Sequence, residues 1–205
     1  MKRLLTLSLA ALLAAALTGC GARGAKPVIY LYPEEETEVS VTLELDGTFT
    51  STYPDYGDGW TVTAQPDGTL TDPETGRTYY CLFWEGIIDR QFDLSAGFCV
   101  AGEDTAAFLE DALARLGLTE REANEFIIYW LPRMEGNPYN LISFQTDAYT
   151  DAAELTIDPA PDTLIRVFLA WKGLDAPVEV EPQKLTAPER AGFTAVEWGG
   201  AEVVQ

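Results

Sequence analysis

The chain has no histidine among its 205 residues. That absence removes Ser-His and Cys-His nucleophile systems, His-ligated zinc and imidazole general bases together. Basic residues are scarce as well: 13 Lys and Arg face 33 Asp and Glu, for a formal charge of −20. Such a balance disfavours nucleic acid and repels anionic headgroups and wall polymers, while it keeps an exported protein soluble. Neither a Gly-x-Ser-x-Gly elbow nor a Ser-x-x-Lys motif occurs, so the common serine nucleophiles are missing too. Ser95 reads as a turn residue, and Lys172 and Lys184 have no convincing acidic or nucleophilic neighbourhood in sequence. No internal repeat is visible. What is abundant is apolar content of 47% with 5 Trp, 9 Tyr and 9 Phe, which argues for a packed chain rather than disorder.

The N-terminus carries the most specific signal. Lys2 and Arg3 precede an apolar run of Leu and Ala from Leu4 to Leu17, too short to span a bilayer and ending in small residues. Leu17-Thr18-Gly19-Cys20 then resembles the bacterial lipobox. The expectation is a signal peptide over 1–19, cleaved, with Cys20 lipidated at the start of the mature chain. Two or more acyl chains hold a protein at a membrane where one binds reversibly. Residues 20–25 are expected to be the lipidated Cys and a short flexible tether, reaching roughly 15–20 Å at about 3.5 Å per residue.

Residues 26–205 read as one composite domain, α+β and predominantly β. The expected architecture is an antiparallel sandwich-like or open-barrel sheet with a two-helix excursion in the middle of the chain. Residues 26–85 form a β-meander, and 86–205 supply the helices and further strands. Lys26 to Pro33 is an extended apolar octamer bounded by prolines, predicted as a strand at a sheet edge. Residues 38–45 alternate, with Val39, Val41, Leu43 and Leu45 on one face. Asp46-Gly47 is a two-residue hairpin signal, and Thr48 to Tyr53 return. Phe108, Leu109, Ala112, Leu113 and Leu116 share one helical face, with Gly117 as its stop. Thr119-Glu120-Arg121-Glu122 matches a capping box. Phe126 to Leu131 is ambiguous, and its β propensity favours a strand after a short second helix. Residues 154–157 and 163–171 flank a proline-rich turn, and Phe193 to Trp198 is a last strand closed by Gly199-Gly200.

Lys26 to Pro33, Tyr129 to Pro132, Pro138 to Ile142 and Phe193 to Gly200 together resemble a family of exported bacterial lipoproteins that open with Lys-Pro-Val-Ile-Tyr-Leu-Tyr-Pro. The resemblance covers nearly the whole mature chain. It implies an extracytoplasmic unit and transfers no catalytic residue.

Without histidine, the available chemistry is that of carboxylates. Glu85 and Glu197 each follow or precede a Trp at a strand end, and a pair of carboxyls about 5–9 Å apart is what glycoside hydrolysis requires. Against this, glutamates at strand ends are usually solvated. Asp55, Asp58, Asp67 and Asp72 put oxygens into short loops, which is calcium chemistry or simply the composition of turns. Cys81 and Cys99 either form a disulfide closing a loop, worth about 3 kcal/mol, or remain buried thiols. Tyr30, Tyr32, Tyr53, Tyr56, Trp60, Tyr79 and Tyr80 crowd the first part, as core or as a contact patch. The expected partners are the membrane, through the lipid on Cys20, and an envelope protein, peptide or glycan, with no nucleic acid. The expected role is non-enzymatic binding or assembly in the bacterial cell envelope, with a glycan hydrolase using Glu85 and Glu197 as the alternative.

Overall fold

The computed structural model describes residues 22–203. The chain enters through β1 (Ala22–Tyr32), β2 (Thr37–Leu45), β3 (Gly47–Tyr53) and β4 (Trp60–Ala64). β5 (Leu70–Thr71), β6 (Thr78–Tyr79), β7 (Leu82–Ile88) and β8 (Ala96–Ala101) follow, before the helices α1 (Thr105–Arg115) and α2 (Glu120–Met134). β9 (Tyr139–Gln145), the single turn α3 (Asp147–Thr150), β10 (Ala153–Asp158), β11 (Thr163–Leu174), β12 (Glu181–Pro182) and β13 (Thr194–Glu202) complete it.

The strands make two open sheets. The larger runs β12-β8-β9-β11-β13-β1-β7-β3 and the smaller β10-β2-β4-β5-β6. Neighbours are antiparallel except β11 with β13 and β8 with β12. One core lies between the sheets, around Ile29, Val41, Trp60, Trp84 and Phe168. A second lies between the large sheet and the helices, around Val28, Phe126, Trp130, Leu169 and Trp198. The protein is therefore three layers, small sheet, large sheet and helix pair. It is predominantly β, as the sequence suggests, and the sandwich is the form it takes.

The middle layer explains the apolar runs. β1, β11 and β13 are covered on both faces, and strands covered twice read as continuous apolar stretches rather than alternations. β1 is consequently not the edge strand its prolines predict; it lies at the centre, between β13 and β7. Pro27 is accommodated because β1 carries one extra residue between Ala25 and Val28 against both partners. A bulge of this kind takes a residue out of the ladder, so the missing N–H costs nothing there.

Other expectations are corrected by the same layering. Asp46-Gly47 is a corner and not a hairpin: β2 lies in the small sheet and β3 pairs with β7 in the large one. Gly47 has φ +154, and a Cβ there would meet the Ile87 carbonyl oxygen at 1.9 Å, which is why glycine turns this corner. β10 and β11 likewise belong to different sheets. Phe126 to Leu131 is helical, within an α2 that keeps Pro132 in its last turn. Glu122, Phe126, Trp130 and Met134 are buried at intervals of four, and this periodicity outweighs strand propensity. The capping box at Thr119 and Glu122 forms as predicted. Residues 22–25, expected in a flexible tether, are instead the start of β1, where Ala22 to Gly24 already pair with β7.

β13 also continues through Gly199 and Gly200 to Glu202. A Cβ on Gly200 would lie 2.6 Å from the Leu169 carbonyl oxygen and 2.7 Å from the Trp130 ring, so α2 packs onto β13 only where a side chain is missing. Gly200→Ala is expected to lower the urea midpoint by about 1–3 kcal/mol of stability, the usual cost of overpacking. An unchanged midpoint in equilibrium unfolding would show that α2 shifts freely.

Candidate functional site

The structure does not bring Glu85 and Glu197 together. Trp84 and Glu85 are consecutive on β7, so they face opposite sides of the large sheet. Glu197 shares the side of Trp84, where it is fully buried and accepts from Trp84 Nε1 at 3.1 Å and Arg166 Nε at 2.7 Å. Arg166 also donates to the Ala153 carbonyl of the small sheet at 2.7 Å and lies over the Tyr149 ring. Tyr149 in turn stacks on Phe168, ring centroids 4.0 Å apart. This is a clamp between the two sheets and not a catalytic dyad. Glu85, half-buried on the helix side, accepts the Lys26 backbone N–H at 3.3 Å, in the gap that the β1 bulge opens.

Cys81 and Cys99 are free thiols. Cys99 is on β8 and Cys81 directly precedes β7, with β9, β11, β13 and β1 between those strands. At about 4.8 Å per strand that is roughly 24 Å, far beyond the reach of a disulfide. Burial, and secondarily the Glu125 charge, push the Cys81 thiol up to about 12.

The four loop aspartates, Asp55, Asp58, Asp67 and Asp72, do not converge as a set. Asp67 accepts the Thr69 N–H at 2.9 Å, and Asp72 those of Glu74 and Thr75 at 2.8 and 3.1 Å. These backbone donors hold both carboxyls below their usual range, as in ordinary Asx turns. Asp55 and Asp72 line one cavity with Glu74, whereas Asp67 lines a different one. Among the described residues no three His, Cys, Asp or Glu side chains gather into a metal-binding group.

What the fold does assemble is a trough beside α2. Lys26, Val28, Tyr30 and Tyr32, alternate residues of β1, give it a floor. Along the strand they span about 20 Å at 3.3 Å per residue. Two cavities, of about 540 and 480 Å³, share Tyr80 in their walls. The first is walled by Tyr32, Thr69, Arg121 and Arg190, the second by Tyr53, Tyr79, Phe83, Glu85 and Tyr129. Tyr30 and Tyr32 stack with planes 3° apart, and Tyr80 approaches Tyr30 at 6.4 Å. Tyr53 meets Tyr79 edge-on at 5.5 Å. Tyr53 and Tyr80 are 53% and 52% exposed whereas Tyr30 is 4%, so the first two rings are open at the surface and the third lies beneath them. Tyr56 and Trp60, from the same crowded stretch, pack together at 4.7 Å against the inter-sheet core.

The charged groups of the trough are held in place. Tyr30 Oη donates to Glu125 at 2.8 Å. Arg190 pairs with buried Glu122 and donates twice to the Gly117 carbonyl, at 3.0 and 2.9 Å. Lys26 Nζ lies over the Tyr129 and Trp198 rings at 5.3 and 5.9 Å, a cation–π arrangement. Burial, then the Glu125 bond, raise Tyr30 far above the usual phenol range; burial, then the Glu122 charge, raise Tyr32. Sequence reasoning found the tyrosines of the floor and missed the wall. Arg121, Glu125 and Tyr129 stand at intervals of four beside the buried stripe of α2, a signal hidden once this segment is read as a strand.

Comparison with known proteins adds a relative. An "Uncharacterized protein in bglA 3'region" of Butyrivibrio fibrisolvens is 45% identical over 85 residues, 37% of this chain and 86% of that protein. The chain belongs to the family of that protein. No protein-family model matches it, and no solved structure does.

Two outcomes follow from these side chains. Arg166→Met leaves the Glu197 charge buried without its cation and should cost roughly 3–5 kcal/mol in urea unfolding. Adding Glu197→Gln should recover part of that loss. Separately, Tyr30, Tyr32 and Tyr149 are all raised, Tyr149 by burial first and then by Glu197. Below the ordinary phenol range both states keep these protons. Above about pH 10 the unfolded chain releases them while the folded chain does not, so stability is full below that pH and falls as pH rises. A urea midpoint that stays level from about pH 8 to about pH 11 would contradict this.

Proposed function

We propose that this protein is a lipid-anchored component of the bacterial cell envelope, held on the extracytoplasmic side of a membrane, where it acts as a non-enzymatic binding module. The observation that carries the binding role is the trough, with two cavities that share an exposed tyrosine and are bordered by a central strand and a helix. Each cavity falls within the range of about 300–1,000 Å³ typical of ligand sites. Its polar groups are tied to one another, which suits a preformed recognition surface better than a reactive centre. Glu85 and Glu197, on opposite faces of the sheet, lend no support to a paired-carboxylate hydrolase.

The placement rests on Cys20, which lies outside the described residues. Because β1 begins at Ala22, only Gly21 separates that thiol from the sheet, a reach of roughly 7 Å. The lipid would thus hold the end of the large sheet where Ala22 pairs with Ile88, which in turn pairs with Gly47. In cells expressing the full chain, fatty-acid labelling and detergent-phase partitioning are expected to vanish in Cys20→Ser. Retention of both in that variant would refute the anchor.

A further inference from the structure

Resting on the reading of the trough as a binding site, we propose that its ligand is a neutral glycan chain, laid along β1 with sugar rings against Tyr80 and Tyr53. The first argument is charge. Arg190 is committed to Glu122 and Gly117, Arg121 lies 4.0 Å from Glu125, and Lys26 sits over two aromatic rings. The carboxylates among them are Glu122, Glu125 held by the Tyr30 hydroxyl, Glu85 held by the Lys26 N–H, and Asp67. With both signs interleaved along the trough, a multiply charged ligand of either sign meets like charges as well as opposite ones, and like-charge juxtaposition is costly. A neutral one meets no such penalty.

The second argument is the shape of the aromatic surface. Tyr53 and Tyr80 offer broad apolar faces whose rims carry hydroxyls, with Thr78 beside them. Such a ring is an amphipathic platform. A pyranose matches it, with an apolar C–H face for the ring and hydroxyls around its edge for the rim. Two cavities side by side along about 20 Å of strand, with Tyr80 in the wall of each, match several sugar units better than one.

The third argument separates a glycan from a peptide. One common mode of peptide binding adds a strand, which requires an open sheet edge. The floor here is β1, paired with β13 from Val28 to Tyr32 and with β7 at Ala22 to Gly24, Val28 and Ile29. A peptide laid across it would find no ladder over most of its length, and desolvated amides without partners are penalised. A glycan carries no backbone amide repeat that needs such a ladder.

The test titrates the acylated full chain in detergent micelles with cellohexaose, xylohexaose, mannohexaose and chitohexaose by calorimetry, with hexagalacturonate and hexalysine as charged comparators. Binding of a neutral hexasaccharide is expected, with an affinity that salt does not screen. Tyr80→Ala and Tyr53→Ala should each weaken it about tenfold, equivalent to about 1.4 kcal/mol. Tyr80→Phe should retain most of it, and Ile128→Ala, on the outer face of α2 and 74% exposed, should leave it unchanged. The proposal is overturned if no neutral hexasaccharide binds, if only a charged comparator binds, or if Tyr80→Ala binds like the parent. A photoreactive residue at Thr78 in intact cells then separates the two readings. Capture of a protein there would retain the binding module and reject the glycan, whereas no capture and no hexasaccharide binding would reject both.

Discussion

The structure depends on how one charge is buried. Glu197 stands in the middle of a layer covered on both sides, with no exposed surface, where an unpaired carboxylate would cost several kcal/mol. Its neutralisation recruits Arg166 from the adjacent β11, the Trp84 indole from β7 and, through Arg166, a carbonyl of β10 in the opposite sheet. Arg166 and Glu197 are direct register partners on neighbouring strands. A slip of one residue would place Arg166 on the opposite face from the carboxylate. The pair thus ties strand register to sheet-on-sheet packing. Apolar contacts alone would define neither as sharply, since Val and Ile faces tolerate exchange.

The same layer creates the trough. β1 serves two cores at once, sending Ile29 and Leu31 toward the small sheet and Val28 and Tyr30 toward the helices. Where α2 stops covering the helix side, the alternate residues from Lys26 to Tyr32 become a floor. The bulge at Lys26 and Pro27 matters here. It lets a proline into a central strand, and it leaves the Lys26 N–H free to bond Glu85. A strand that is structural on one face thereby becomes a surface on the other, held by β13 as far as Tyr32 and by β7 as far as Ile29.

Much of this was legible in the residues, and the exceptions have a common cause. The alternation of residues 38–45, the capping box at Thr119 and the α1 face from Phe108 to Leu116 are local patterns, and they hold. The failures at Lys26–Pro33, Asp46-Gly47 and Phe126–Leu131 arise where a tertiary neighbour overrides a local preference. A proline suggests an edge until a bulge absorbs it. A turn dipeptide suggests a hairpin until the following strand finds a better partner in another sheet. An aromatic, β-branched run suggests a strand until its period of four meets a sheet surface. The clamp and the trough share this limit, because Glu197 with Arg166, and Tyr80 with Tyr129, are brought together only by the order of strands.

The short link before β1 gives the trough a direction. On the lipid-anchored reading, Cys20 holds the Ala22 end of β1 against the headgroups, and the strand rises from there at about 3.3 Å per residue. Lys26 then lies at the membrane-proximal end of the floor and Tyr32 at the distal end. A free-swinging domain would present its ligand site at every angle, whereas a one-residue link limits the orientations that remain. The acidic surface would act in the same sense: with 33 acidic side chains against 11 basic ones once Lys2 and Arg3 leave with the signal peptide, the body would be repelled by anionic headgroups over the screening length of about 8 Å at physiological salt. Held at one strand end and repelled elsewhere, a body anchored in the proposed way would stand on the bilayer rather than lie along it. A chain bound along β1 would therefore run away from the membrane, toward whatever lies outside it.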